Sequence, residues 1–270
     1  VEFKQAVSCA FGRQAVNYTN YCYRELGSSS LQAQAAALIQ PFLRPCNVLL
    51  DLGCGPAVHT TMLRHYCDVY WGVDISAEML KIAKQTTTDG AVYWLQGDAE
   101  ALCFADHTVD FIYSNMAVQW CESPKQVLTE AMRVLQPGGR LLFTTLVKGS
   151  TGLLTALHQQ GLLNHSNQYP ELSVWSHHAA ALGFSVVNAE IHSLVTEHES
   201  PRALLESLKQ IGANARMQES NAEQSSSRSG HGLKTKNWLF QLYREIEKYR
   251  EHGAIPLNYE VARLVFEKRC

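Results

Sequence analysis

Five short apolar runs, each rich in β-branched or aromatic residues, punctuate the first half of the chain: "NVLLDL" (47–52), "VYWGVDI" (69–75), "AVYWLQGD" (91–98), "VDFIYSN" (109–115) and "RLLFTTLV" (140–147). Helical stretches such as "SAEMLKIAKQ" and "SPKQVLTEAMRVL" separate them. Strands that are apolar along their whole length are buried on both faces, and parallel neighbours need a crossover to return the chain. The alternation therefore predicts a parallel sheet with helices on both faces. Ligands on such sheets sit beyond the carboxyl ends of the strands. The chemically distinctive residues of this chain fall there.

Residues 3–43 read as helical, closed by Pro41 and Pro45. After residue 150, helices are expected at about 150–163, 172–182, 202–213 and 236–251, with strands at 184–195 and 257–268 that bring the sheet to seven. The polar, Ser-rich stretch 217–235 reads as a mobile loop. Four segments follow: an N-terminal helical segment (1–45), the sheet core (46–200), a helical insertion (201–256) and a final core strand (257–270).

A formal net charge of −2 does not provide the broad basic footprint of a nucleic-acid binder. The first residues lack the apolar centre of a signal peptide and no run approaches a bilayer span, so a cytoplasmic protein is expected. The eight cysteines include no C-x-x-C pair, His177 and His178 are adjacent, and His59 and His65 lie six apart rather than on one helical face. Reduced thiols and no metal are the expectation.

Asp51-Leu52-Gly53-Cys54-Gly55-Pro56-Ala57 ends the first run with an acid and then small residues that let backbone approach a ligand. A dinucleotide fingerprint would need a third glycine where Val58 stands, and a Walker loop needs a Gly-Lys-Ser/Thr that is missing. A pyrophosphate wants bare N–H groups at a helix start. A positively charged amino acid end can instead be met by Asp51 or by loop carbonyls, and that fits S-adenosylmethionine. Asp74 closes the second run where a carboxylate accepts two ribose hydroxyls. Asp98, one run further on, is placed to accept from an adenine amino group, with Ala99 behind the ring. Singly, each acid reads equally well as a helix N-cap. Three in register favour the ligand.

"RVLQPGGRLLFTTL" adds a helix stopped by Pro137, a tight turn on Gly138 and Gly139, and a buried strand. With "DLGCGPA", "GVDIS" and "QGDAEAL" it resembles the ordered motif set of class I S-adenosylmethionine-dependent methyltransferases. Ala57 departs from that pattern, which usually has a third glycine. "SNMAVQWC" lacks the Asn/Asp-Pro-Pro-Tyr of amino-methylating DNA enzymes. More narrowly, "AFGRQAVNY", "SNMAVQWC", "TTLVKGS", "SLKQIGA" and "IPLNY" resemble the malonyl-acyl-carrier-protein O-methyltransferases of biotin synthesis, over about residues 5–268. The stretch 217–240 does not match closely.

The resemblance implies an α/β, Rossmann-like fold with a mostly parallel seven-stranded sheet, its lid formed by the N-terminal helices and the helical insertion. It implies methyl transfer from S-adenosylmethionine, leaving S-adenosylhomocysteine, to the free carboxylate of a malonyl thioester on acyl carrier protein or coenzyme A. A carboxylate is already ionised at neutral pH, so rate must come from alignment and from excluding water. No metal, nucleic acid or membrane takes part, and a monomer is expected. The cofactor-binding residues implied are Asp51, Gly53, Gly55, Asp74, Ile75, Met79, Asp98, Ala99 and Asn115. Tyr18, Lys148 and Arg13 are the catalytic candidates, and Gln119, Trp120, Lys209 and Arg216 the substrate-binding ones. Residues 201–250 carry nine Lys and Arg against five Asp and Glu, a field suited to an acidic carrier. Two alternatives stay open. One is another small-molecule O- or C-methyltransferase, such as an enzyme acting on a quinone precursor; the other is a non-catalytic S-adenosylmethionine-binding regulator.

Overall fold

The computed structural model describes residues 2–24, 30–86, 89–164, 166–210 and 236–269. One sheet holds β1 (Cys46–Leu52), β2 (Cys67–Asp74), β3 (Val92–Gln96), β4 (Val109–Asn115), β5 (Leu135–Leu146), β6 (Phe184–His198) and β7 (Ile255–Lys268) in the order β3-β2-β1-β4-β5-β7-β6. The first five strands are parallel, and β7 runs antiparallel between β5 and β6. The described helices are α1 (Glu2–Arg24), α2 (Leu31–Ile39), α3 (Thr60–Leu63), α4 (Ala77–Ala83), α5 (Pro124–Val134), α6 (Gly152–Gln159), α7 (Leu172–Leu182), α8 (Pro201–Gln210) and α9 (Lys236–Glu247).

Side chains alternate across a strand, and both faces here are apolar. Leu50, Leu52, Ile112, Leu141 and Phe143 pack on Val127, Leu128 and Ala131 of α5 and Trp175 and Ala179 of α7. Leu49, Tyr70, Phe111, Tyr113 and Leu142 pack on the opposite side with Ile39 of α2 and Leu63 of α3. A third cluster joins Leu31, Met116, Leu146, Leu154, Leu208, Leu242 and Tyr259, drawn from both halves of the chain. Strand order reverses between β1 and β4, and this opens a crevice at their carboxyl ends.

Three expectations are corrected. The helical stretch 3–43 breaks into α1 and α2, where Ser30 caps the second helix by accepting from Ala33 N at 3.1 Å. Pro137-Gly138-Gly139 is no tight turn between helix and strand: β5 starts at Leu135 and runs through it, with the β4 register shifting between Val109 and Phe111. Gly139 permits this, because a Cβ there would lie 3.0 Å from Asp110 O. The α6 helix ends at Gln159, short of residue 163. Residues 211–213 and the expected mobile loop 217–235 lie outside the described residues. Among the described residues, no helix is long and apolar enough to cross a membrane, and no three His, Cys, Asp or Glu side chains come together as a metal site.

Candidate active site

A solvent-open cavity lies beyond the tips of β1 to β5 and β7. Gly53, Gly55, Asp74, Ile75, Met79, Asp98 and Ala99 line one end. Leu146, Thr151, Leu154, Asn167, Tyr169, Leu208 and Tyr259 line the other, with Asn115 and Gln119 between them, while Trp120 packs in one cluster with Ile75 of the first end. Val7, Phe11 and Tyr18 of α1 complete the wall.

The glycine loop turns sharply because Gly53 N and Cys54 N both donate to Val73 O, at 2.8 and 3.1 Å. Gly53 has φ +70°, and a Cβ there would sit 2.2 Å from the Cβ of Ala117. Asp74 braces the loop from the next strand. Its Oδ2 accepts from Gly55 N at 2.9 Å and its Oδ1 from Ser76 N at 2.8 Å, while the carboxylate still faces the cavity. Burial pushes its pKa above the usual carboxylate range, against the pull of those N–H groups. Ser76 in turn caps α4, accepting from Met79 N at 3.3 Å and setting Met79 on the wall.

Ala57, standing where a glycine is usual in the motif, is buried at φ +70°. Left-handed backbone costs an L-residue about 1–2 kcal/mol. Ala57→Gly is therefore expected to stabilise the fold by about 0.5–1 kcal/mol after the unfolded-state entropy is charged. A higher thermal midpoint checks it; a lower one sinks it.

Asp51 does not line the cavity. It lies behind the loop, buried, where Tyr70 donates to its Oδ2 at 2.7 Å and Thr60 donates to the Tyr70 hydroxyl at 3.0 Å. Burial pushes its pKa up to about 7, opposed by the Tyr70 hydrogen bond and helped by the charge of Asp74. An unfolded aspartate titrates near about 4, so the folded state favours the protonated form. This contribution is complete below about pH 4 and is lost as pH rises through about 7. Asp51→Asn should flatten the decline in thermal stability from pH 5 to 8; equal slopes in the two proteins would refute it.

Asp98 is tied to the N-terminal helix. Lys4 Nζ donates to its Oδ2 at 2.6 Å and lies 2.8 Å from Glu100 Oε2, and Glu100 also accepts from Glu122 N and Ser123 N at 3.1 and 2.7 Å. Ser8 donates to Ile75 O at 3.1 Å, and Phe11 meets Trp120 edge-on with ring centroids 5.3 Å apart. These contacts lay α1 across the Asp74 and Asp98 end of the cavity. Lys4 and Asp98 are 94 residues apart, and no local pattern announces the pair.

Asn115 is fixed on the floor: Oδ1 accepts from Thr144 Oγ1 at 2.7 Å and Nδ2 donates to Gln32 O at 3.0 Å. Its Nδ2 also lies 3.2 Å from His59 Nε2, and burial lowers the pKa of that imidazole to about 4, leaving it neutral and able to accept. Gln119 lines the cavity while its Nε2 donates to Met116 O at 2.8 Å.

The cationic candidates lie elsewhere. Lys148 is exposed and paired with Glu171 at 2.8 Å, Arg13 and Lys209 are exposed, and Arg216 lies outside the described residues. Among the described residues no Lys, Arg or His lines the cavity. Sequence reading missed Gln32, Thr151, Asn167 and Tyr169 on the wall. Tyr259, also missed, sits in the "IPLNY" stretch, which was signal enough to find it.

Residues 50–143 match the family model described as a methyltransferase domain. Among solved structures, the YcgJ protein of Bacillus subtilis superposes with a TM-score of 0.63 at 18% identity, covering 88% of this chain and 99% of that one. The Haemonchus contortus phosphoethanolamine N-methyltransferase 2, solved in complex with S-adenosyl-L-methionine, gives 0.61 at 18% identity over 100% of this chain and 60% of its own. These share the fold. Closer in sequence is the malonyl-acyl-carrier-protein O-methyltransferase of Enterobacter lignolyticus, 34% identical over 96% of this chain and 95% of the relative. The enzyme of that name from Erwinia pyrifoliae is 36% identical over 78% of this chain and 77% of its own length. Likeness of this degree across nearly the full length, on a fold whose strand tips carry the expected glycine loop and acids, places the chain in the malonyl-acyl-carrier-protein O-methyltransferase family.

Proposed function

We propose that this chain methylates the free carboxylate of a malonyl thioester carried by acyl carrier protein, using S-adenosylmethionine, as the masking step of biotin synthesis. The observation that carries the reading is one continuous cavity whose acid-tipped end suits a nucleoside and whose other end mixes leucines with neutral polar side chains and is free of cations among the described residues.

The residues present fit the cofactor. Gly53 and Gly55 hold left-handed backbone on the cavity wall beside the half-buried carboxylate of Asp74, and a Cβ on Gly55 would stand 3.9 Å from the Tyr18 ring, within the cavity. Asp74 would hold the ribose hydroxyls, Asp98 the adenine amino group, Ile75, Met79 and Ala99 the ring, and the glycine loop with Asn115 the amino acid end. When bound, S-adenosylmethionine supplies a methyl group on a cationic sulfur, open to attack by an oxygen nucleophile.

The chain has to align the acceptor and keep it dry. Phe11 and Trp120 close over the nucleoside end and the Leu146, Leu154 and Leu208 side chains wall the acceptor end, so water is displaced from the nucleophile. The leucines on that wall would disfavour separated ions and so favour a reaction in which opposite charges cancel. No base is needed. Tyr18 is assigned to hydrogen-bond the acceptor carboxylate. Helices α1, α8 and α9 are assigned to the lid, and the protein is read as a cytoplasmic monomer.

Arg13 and Lys209, on the packed helices α1 and α8, are assigned to docking an acidic carrier. Mass spectrometry of malonyl-carrier after incubation with S-adenosylmethionine tests the reaction: a gain of one methyl that alkali removes is expected, and an unchanged thioester refutes it. Arg13→Glu with Lys209→Glu should raise KM for malonyl-carrier and leave malonyl-coenzyme A unaffected.

A further inference from the structure

Two amide side chains in the cavity have groups that nothing in the described chain satisfies. Gln32 and Asn167 both line it, and Gln32 Oε1 and Asn167 Oδ1 are buried without a hydrogen-bond partner. Buried amide groups are ordinarily paired, and leaving one unmet is costly unless a ligand completes it.

Both residues overhang neighbouring strand tips. The backbone carbonyl of Gln32 accepts from Asn115 Nδ2, at the end of β4, at 3.0 Å. The loop of Asn167 is tied beyond β5, where Lys148 N donates to Pro170 O at 3.1 Å. β4 and β5 are adjacent in the sheet. The two amides thus flank the stretch between the middle of the cavity and its acceptor end.

An amide's orientation follows its partners. Asn167 Nδ2 lies 3.2 Å from the Tyr169 hydroxyl, a group that can meet either end of an amide. A half-turn of either amide puts its NH2 in the position now unmet. Either residue can present N–H donors to a ligand. The only charged side chains on the described lining are the carboxylates of Asp74 and Asp98, so an anion at the acceptor end meets no cation there.

We propose that Gln32 and Asn167 form the carboxylate subsite: their neutral amide N–H groups join the Tyr18 hydroxyl on one oxygen of the substrate carboxylate and leave the other free to attack. This rests on the carboxyl-methylating reading above. Neutral donors give charge-assisted hydrogen bonds that orient an anion without a full ion pair. The same donors hold the uncharged ester less tightly, which helps product leave.

The test uses the full chain and begins with the wild type, which should esterify malonyl-carrier and, with S-adenosylhomocysteine bound, prefer malonyl- over acetyl-coenzyme A by about tenfold or more in calorimetry. Asn167→Leu and Gln32→Leu should each lose about ten- to hundredfold in kcat/KM for malonyl-carrier and erase that preference, with S-adenosylhomocysteine affinity unchanged. Asn167→Asp is the decisive variant because it keeps the shape and adds a like charge. It should lose about a hundredfold in malonyl binding while acetyl binding holds. Gln32→Glu gives the same reading if a variant at 167 fails to fold. Wild-type malonyl affinity in Asn167→Asp or Gln32→Glu would show that the amides accept from a donor, such as an N–H of the thioester's carrier arm, and overturn the subsite while leaving the reaction standing. Absence of ester from the wild type overturns both.

Discussion

Gly53→Ala is expected to unfold the site as well as empty it. The residue holds φ +70°, and the added Cβ would come within 2.2 Å of the Ala117 Cβ, a fixed methyl group on the loop after β4. Left-handed backbone and overpacking each cost about 1–3 kcal/mol, so a loss of about 3 kcal/mol and a fall of roughly ten degrees in thermal midpoint follow. Relief of the clash would push the loop away from β4. The hydrogen bonds from Gly53 N and Cys54 N to Val73 O would then be strained, and cofactor affinity should fall by at least about a hundredfold in calorimetry. The opposite sign expected for Ala57→Gly makes the pair informative, since both positions have φ +70° but Ala57 already accommodates its methyl. A Gly53→Ala protein with wild-type midpoint and affinity would show that the loop does not need this geometry.

Asp74→Ala should carry the second largest effect. The carboxylate answers two backbone donors, Gly55 N and Ser76 N, and presents its remaining lone pairs to the cavity. Removing it leaves both N–H groups unmet, at about 1–3 kcal/mol each, and takes away the acceptors assigned to the ribose hydroxyls. S-adenosylmethionine Kd and KM should rise by about 10²–10³-fold, with kcat at saturating cofactor much less affected, because the loss is in ground-state binding. Asp74→Asn should fall between, since its carboxamide oxygen can keep one backbone donor. A variant whose kcat falls while KM holds would contradict the assignment.

The cavity wall at the tips of β1 to β3 was legible in the sequence because it is built from local pieces. Each strand is short and apolar, each ends in its ligand-side residue, and β4 even keeps the expected bounds at Val109 and Asn115. Asp51 shows the limit of that reasoning: it stands in the motif at the strand's end, yet strand alternation turns it inward to Tyr70 and behind the loop. The acceptor end was not legible. Leu146, Asn167, Leu208 and Tyr259 come from four separate segments, and only the placement of β7 beside β5 brings them to one wall. Charge singled out Lys148 and Arg13 as catalytic candidates, and the fold leaves both exposed and off the cavity wall, with Lys148 on Glu171. The pattern through Pro137-Gly138-Gly139 misled for a related reason: turn-forming residues also make bulges, and the neighbouring strand decides which.

The position of β7 also orders events in time. Leu142 pairs with Val265 and Thr144 with Arg263, contacts that join chain segments well over a hundred residues apart, whereas β1 to β4 close among near neighbours. Distant pairings form slowly because their loop entropy must be met first. A ribosome-bound chain would thus close β1 to β4 first, with an open flank beyond β5, and complete the wall that carries Tyr259 only when β7 pairs between β5 and β6.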